Sequence, residues 1–182
     1  MIEKWKILNS EIVLNEKWYQ VRKDTIEIRP DRIVDDYYLG IFGDIVLIVA
    51  LTTNQEIPLV RQYKHGAGEV LSELPGGYMN DKEEPLVAAQ RELREETGFT
   101  APTWHKLGVF LKDPTKTKGN NLHLFLALDA LKTNDQELDD NEKIEVLITP
   151  FGEAVAMARN GNIKASDSSL ALLLAENELQ LP

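Results

Sequence analysis

The sequence contains no cysteine. Disulfide staples and thiolate metal sites are therefore excluded, and a metal ion would have to be held by oxygen or imidazole ligands. The three histidines, His65, His105 and His123, are scattered, and no two stand at metal-ligand spacing. Long apolar runs are missing as well. The longest, Ile45–Leu51, fits one strand and falls well short of the ~20 residues of a membrane-spanning helix. Met1–Ser10 carries Glu3, Lys4 and Lys6 with no apolar stretch, so a signal peptide is not expected and a soluble, cytoplasmic chain is. Positive charge is also scarce: 20 Lys and Arg stand against 30 Asp and Glu, a net charge of −10 at pH 7. This argues against broad binding to nucleic acid or to an anionic membrane surface. It also sets a condition. If so acidic a chain handles phosphates, something cationic must stand between them and its carboxylates.

What is present is 182 residues, 43% of them hydrophobic, enough for a core without staples and with no internal repeat. Residues 1–42 read as β-rich, with Trp18–Tyr19 and Tyr37–Tyr38 set among alternating charges. Ile45–Leu51 and Glu56–Tyr63 read as strands around a turn at Thr53–Gln55; a Gly-rich loop, His65–Gly68, follows, and Pro75–Gly76–Gly77 predicts a sharp bend. A helix is expected from Pro85, a residue suited to a first turn, to Thr97, with Glu83 and Glu84 at its positive end and Gly98 as its stop. Strands are expected near Leu107–Leu111, Leu122–Leu128 and Ile144–Thr149, with the acidic stretch Asp135–Glu142 as a loop. Thr149–Pro150 predicts a helix closed by Gly161, and a last helix runs from Ser168 to Glu178. This order predicts an α/β or α+β sandwich with helices packed on sheets, a β-rich region over 1–42 and the main domain over 43–182.

On the predicted helix Glu92, Glu95 and Glu96 stand at i, i+3 and i+4, so the three carboxylates crowd roughly 100° of one face. Such a cluster is compatible with a merely solvated acidic face. It is equally what a hard cation such as Mg²⁺ needs, since Mg²⁺ takes oxygen ligands and keeps waters and substrate phosphates.

The context distinguishes the two. Gly77, Glu83, Arg91, Glu92, Leu93, Glu95, Glu96, Gly98 and Phe99 stand at the spacings of the Nudix box. A chance match anywhere in the chain is on the order of 10⁻⁷ from average residue frequencies. The chain thus resembles the Nudix hydrolases. The resemblance implies a mixed β-sheet sandwiched between helices, and hydrolysis of a nucleoside diphosphate linked to another group. It implies two or three Mg²⁺ ions, or Mn²⁺, held by Glu92, Glu96 and the Gly76 carbonyl, with Glu95 a further ligand or catalytic partner. Glu83 and Arg91 are implied to orient the box, and Gly77 and Gly98 to serve as tight turn and helix stop.

Outside the box, Arg61-Gln62-Tyr63-Lys64, Glu73-Leu74-Pro75-Gly76-Gly77, Asp113-Pro114 and Glu142-Lys143-Ile144-Glu145-Val146 resemble the ADP-ribose and nucleoside-diphosphate-sugar pyrophosphatases. That likeness implies Glu142 as general base, with Glu137 in reserve. Arg61 and Lys64 are implied on the diphosphate, Glu73 as a brace, and Trp18 with Tyr37 or Tyr38 stacking on the base. It further implies a homodimer built through the β-rich N-terminal region. Lys116 and Lys118 stand where relatives are more acidic, which points to polar or anionic nucleotide sugars. Two other readings remain open: action on dinucleoside polyphosphates or oxidised nucleotides, and a non-catalytic ligand-sensing domain.

Overall fold

The computed structural model describes residues 2–180. Along the chain the elements are β1 (Lys6–Glu16), β2 (Tyr19–Arg29), β3 (Arg32–Phe42), β4 (Ile45–Leu51), β5 (Glu56–Lys64), β6 (Glu69–Glu73), β7 (Gly76–Tyr78) and α1 (Pro85–Thr97). They continue with β8 (Phe99–Thr100), β9 (Thr103–Leu111), β10 (Thr117–Gly119), β11 (Asn121–Leu128), β12 (Leu131–Lys132), β13 (Glu145–Pro150), α2 (Phe151–Arg159) and α3 (Ser166–Gln180).

The chain forms two units. The first runs to Asp44 and also takes in Leu111–Asn121. Its sheet has the order β1-β2-β3-β10: β1, β2 and β3 are an antiparallel meander, and β10 joins β3 in parallel, with Thr117 opposite Gly40. The segment around Lys116 and Lys118 is thus partly a strand. Asp113 closes the turn before it, its Oδ1 accepting from the N–H groups of Thr115 and Lys116. β1 lies at the sheet edge, and every residue in it is exposed.

The second unit runs from Ile45 to Phe110 and resumes at Leu122. Its sheet has the order β7-β4-β11-β9; β4 pairs in parallel with β11 and antiparallel with β7, so the sheet is mixed. All seven residues of β4 are buried, because both faces are covered. Strand periodicity sorts them. Ile45, Leu47, Val49 and Leu51 pack with Ile57 and Leu59 of β5, Val155 of α2 and Leu172 of α3. Val46, Ile48 and Ala50 pack on the other face with Ala88, Ala89 and Leu93 of α1. The expected sandwich of a mixed sheet between helices is therefore present.

One sequence expectation needs correction. Gly76 and Gly77 do not form the bend; the chain turns at Pro75, and the glycines form β7 against Val46 and Leu47, which offer it an open edge. His65–Gly68 is the turn expected there, and Glu69–Glu73, for which the sequence predicts no element, pairs with β5 as β6. No helix among the described residues is long and apolar enough to cross a membrane.

Candidate active site

α1 carries the acidic cluster. Pro85 opens it, and Gly98, left-handed at φ 75°, stops it with its N–H on the Arg94 carbonyl. Ala88, Ala89 and Leu93 anchor the helix in the core, which fixes its rotation and turns Glu92 and Glu96 toward β7. Glu96 is only 7% exposed, and its Oε2 accepts the Gly76 N–H at 2.7 Å. Burial pushes its carboxyl up to about 8; the Gly76 bond opposes this, while nearby Glu92 and Glu142 add to it and Lys64 subtracts. Burial likewise raises Glu92, against the pull of Arg91 and with help from Glu95 and Glu142. The two acids therefore form a desolvated, mutually repelling pair, within reach of the Glu142 charge.

Arg91 sits among the remaining carboxylates. It forks onto Glu83, Nε to Oε1 and an Nη to Oε2, both at 2.9 Å. It also donates to Glu92 at 2.6 Å, to Glu95 at 3.1 Å and to the Tyr78 carbonyl. Asn80 N–H caps Glu83 at 2.8 Å. Arg91 thus ties β7, the 79–84 loop and α1 into one piece. The Arg91 guanidinium holds the Glu83 carboxyl down at about 2.

Gly77 has a reason other than the expected tight turn. A Cβ there would stand 2.8 Å from the Glu92 carboxylate. The bare glycine is the space in which that carboxylate lies.

Lys64 reaches the cluster from β5, 2.9 Å from Glu73, and its charge acts on Glu96. Arg61 does not join it. Residues three apart on a regular strand face opposite ways, and Arg61 and Tyr63 are exposed while Gln62 and Lys64 are half-buried. Arg61 instead lies 3.6 Å from Glu145. Of the two loop acids, Glu137 is engaged with Arg94 at 2.6 Å, whereas Glu142 accepts from Asp139 N–H at 3.2 Å and its charge acts on Glu92 and Glu96.

The other predicted residues belong to the first unit. Trp18 stands at the β1–β2 turn, 80% exposed, with Lys17 Nζ 4.3 Å from its ring. Tyr38 is exposed and faces Lys23 in β2, about 15 Å along the strand from Trp18. Within one copy the two rings do not form a sandwich. Tyr37 packs edge-on against Trp5 at 5.9 Å and donates to the Thr115 carbonyl. With Arg22, Asp24 and Lys118 these rings line a cleft of about 350 Å³. Lys118 faces Asp24 there: burial opposes the Asp24 charge, but Ser10, Arg22 and Lys118 outweigh it and hold the carboxyl low.

Among the described residues no three acidic or histidine side chains already converge on one point. The donor set nevertheless fits a hard divalent cation. It offers carboxylate and carbonyl oxygens without sulfur, and two of the acids, buried Glu96 and half-buried Glu92, are desolvated at raised pKa, a state that a bound cation relieves. Sequence reasoning missed Gln136, which ties the acidic loop to the end of α1. No spacing rule marks it, since its partners are backbone carbonyls.

A family model described as the NUDIX domain matches residues 42–169. An ADP-ribose pyrophosphatase of Mycobacterium tuberculosis is 38% identical over 161 residues, covering 87% of this chain and 77% of that protein. A GDP-mannose pyrophosphatase of Klebsiella pneumoniae is 30% identical over 175 residues, covering 89% and 86%. A crystal structure of an ADP compounds hydrolase superimposes with a TM-score of 0.86 at 21% identity over 99% of this chain and 96% of that one. At that identity the likeness speaks for the fold.

Proposed function

The chain belongs to the NUDIX domain family and is a Nudix hydrolase, and from that premise we infer that it cleaves the pyrophosphate bond of ADP-ribose or nucleoside diphosphate sugars. The products are a nucleoside monophosphate and a sugar phosphate. The observation that carries this reading is the pair of buried Glu96 and half-buried Glu92 beside Gly76 and Gly77, flanked by Lys64 and under the charge of Glu142. The substrates named for the two relatives support its scope.

Glu92, Glu96 and the Gly76 carbonyl hold the metal, with Glu95 completing the set. Bound Mg²⁺, or Mn²⁺, in two or three ions, supplies neutralisation of the diphosphate and a water of lowered pKa. The chain's own groups do the rest. A Glu142 carboxylate oxygen takes a proton from the attacking water, so that the nucleophile meets phosphorus as a developing hydroxide. Lys64, held by Glu73, contacts the diphosphate. The Glu83–Arg91 fork keeps β7 and α1 in register, so that positioning rather than covalent chemistry lowers the barrier. Trp18 and Tyr38 stack on the base as elements of a homodimer assembled through β1–β3, since one copy does not bring them together. Lys116 and Lys118 stay outside this assignment, as Lys118 is engaged with Asp24.

The test is a substrate panel: ADP-ribose, ADP-, GDP- and UDP-sugars, a dinucleoside polyphosphate and a nucleoside triphosphate, each with Mg²⁺. Nucleoside monophosphate released from diphosphate sugars, and lost in Glu96→Gln, is the expected result. Cleavage confined to triphosphates or dinucleoside polyphosphates would overturn the substrate assignment.

A further inference from the structure

The acidic loop between β12 and β13 carries Glu142, yet its path is set at its two ends. On entering, it satisfies the last carbonyls of the box helix, groups that a helix leaves without intrahelical partners. Thr133 and Asn134 donate their N–H groups to the Gly98 carbonyl, and Glu137 N–H donates to Glu95 at 2.8 Å. The Gln136 side chain completes this set. Its Nε2 donates to the Glu96 carbonyl at 2.6 Å and to the Ile144 carbonyl at 3.3 Å. Both partners are carbonyl oxygens, so only the amide nitrogen can serve both. One side chain thus joins three points: the residue that bears the Glu96 carboxylate, the start of the loop, and buried Ile144 at its exit. The segment 138–143 is left as an arch closed at its base. Inside it a tight turn links Glu142 N–H to the Asp139 carbonyl at 2.9 Å and Asp139 N–H to the Glu142 carboxylate at 3.2 Å.

We propose that Gln136 is a positioning residue for hydrolysis: by closing the base of the 138–143 arch onto the Glu96 carbonyl, it fixes where the Glu142 carboxylate stands relative to Glu92 and Glu96. This rests on the reading of Glu142 as general base. Gln136 touches no substrate and acts only through the loop. Losing it leaves α1, β7 and Lys64 in place, so substrate and metal still bind, while the base wanders from the attacking water.

The experiment is a double-mutant cycle on the full chain with Mg²⁺ and its best diphosphate-sugar substrate, using the near-isosteric Gln136→Glu, which turns the donor into an acceptor, with Gln136→Met as its uncharged counterpart. Each single variant is expected to lower kcat about 10-fold, part of the 10²–10⁴-fold a positioned base supplies, with KM changed less than about 3-fold. In a Glu142→Gln background the same changes are expected to cost less than about 2-fold, because the group they position is already gone. Losses that multiply across the two sites would overturn the proposal, as would wild-type kcat in both Gln136 variants. Hydrogen exchange of the Asp139 and Glu142 amides provides a readout without turnover. Both should exchange faster in either Gln136 variant, and unchanged rates would overturn the proposal. Should Glu142→Gln alone keep wild-type kcat, the assignment of the base falls, and exchange alone decides whether Gln136 closes the arch.

Discussion

Glu83 and Arg91 form a fork that, with the Tyr78 carbonyl, ties β7, the 79–84 loop and α1 together. The fork is half-buried and doubly hydrogen-bonded, with side-chain exposures of 11% and 23%, so it escapes most of the solvent screening that makes surface pairs weak. Charge-assisted bonds of this kind contribute about 1.5–3 kcal/mol. The sign of the pH dependence follows. The Glu83 carboxyl sits at about 2, below its ordinary 4.5, so its contribution is present above 4.5 and is lost as pH falls from there through 2. Glu83→Gln should therefore be less stable than wild type in urea melts near pH 6, and the gap should close as pH falls toward 2; a constant gap would mean that the pair is not the cause. At this scale the sequence was partly legible. Every box residue could be named from spacing, because the chemistry fixes the side chains. Gln136 could not, because its work lies in bonds to backbone that only the folded loop brings close. The separation of Arg61 from Lys64 was readable from strand alternation alone, yet a short motif read as a unit hides it.

α1 was the most legible element: its apolar stripe, Pro85 and Gly98 mark both ends, and the observed span is Pro85–Thr97. β7 was not, because Pro-Gly-Gly reads as punctuation when nothing in the sequence shows that β4 offers an edge to pair with. The two box glycines should separate by experiment. Gly77 faces the end of a flexible side chain, so Gly77→Ala pushes the Glu92 carboxylate aside at little cost to the fold. We expect a Tm within about 3 °C of wild type, under 1 kcal/mol for a domain of this size. A misplaced ligand should nonetheless cost kcat/KM roughly 10–100-fold. Gly98 is the reverse case. Its left-handed backbone abuts the Asn134 carbonyl, so Gly98→Ala should lose about 1–3 kcal/mol in thermal melts, with KM little changed. If Gly77→Ala keeps wild-type kcat/KM, or lowers the Tm as much as Gly98→Ala does, the assignment of Gly77 as room for Glu92 is wrong.

For the whole molecule, the two units pose different questions. The second has both faces of its central sheet covered, and the unbroken apolar run Ile45–Leu51 already marked that strand as buried. The first has an edge strand with no buried residue: Ile7, Leu8, Ile12, Val13 and Leu14 of β1 are 41–55% exposed. Exposed apolar edges are a liability that folded chains cover, which is the physical ground for proposing a homodimer through this region. Light scattering should return a mass of twice 20.6 kDa. Ile7→Lys with Ile12→Lys should shift it to the monomer, since two such side chains account for about 3–6 kcal/mol of burial, or roughly 10²–10⁴ in Kd. Two copies at −10 each also repel, so raising salt should tighten the dimer as screening removes the long-range part of that repulsion. A monomeric wild type that hydrolyses its substrate at full rate would leave β1 without this role, and with it the sharing of Trp18 and Tyr38 between copies.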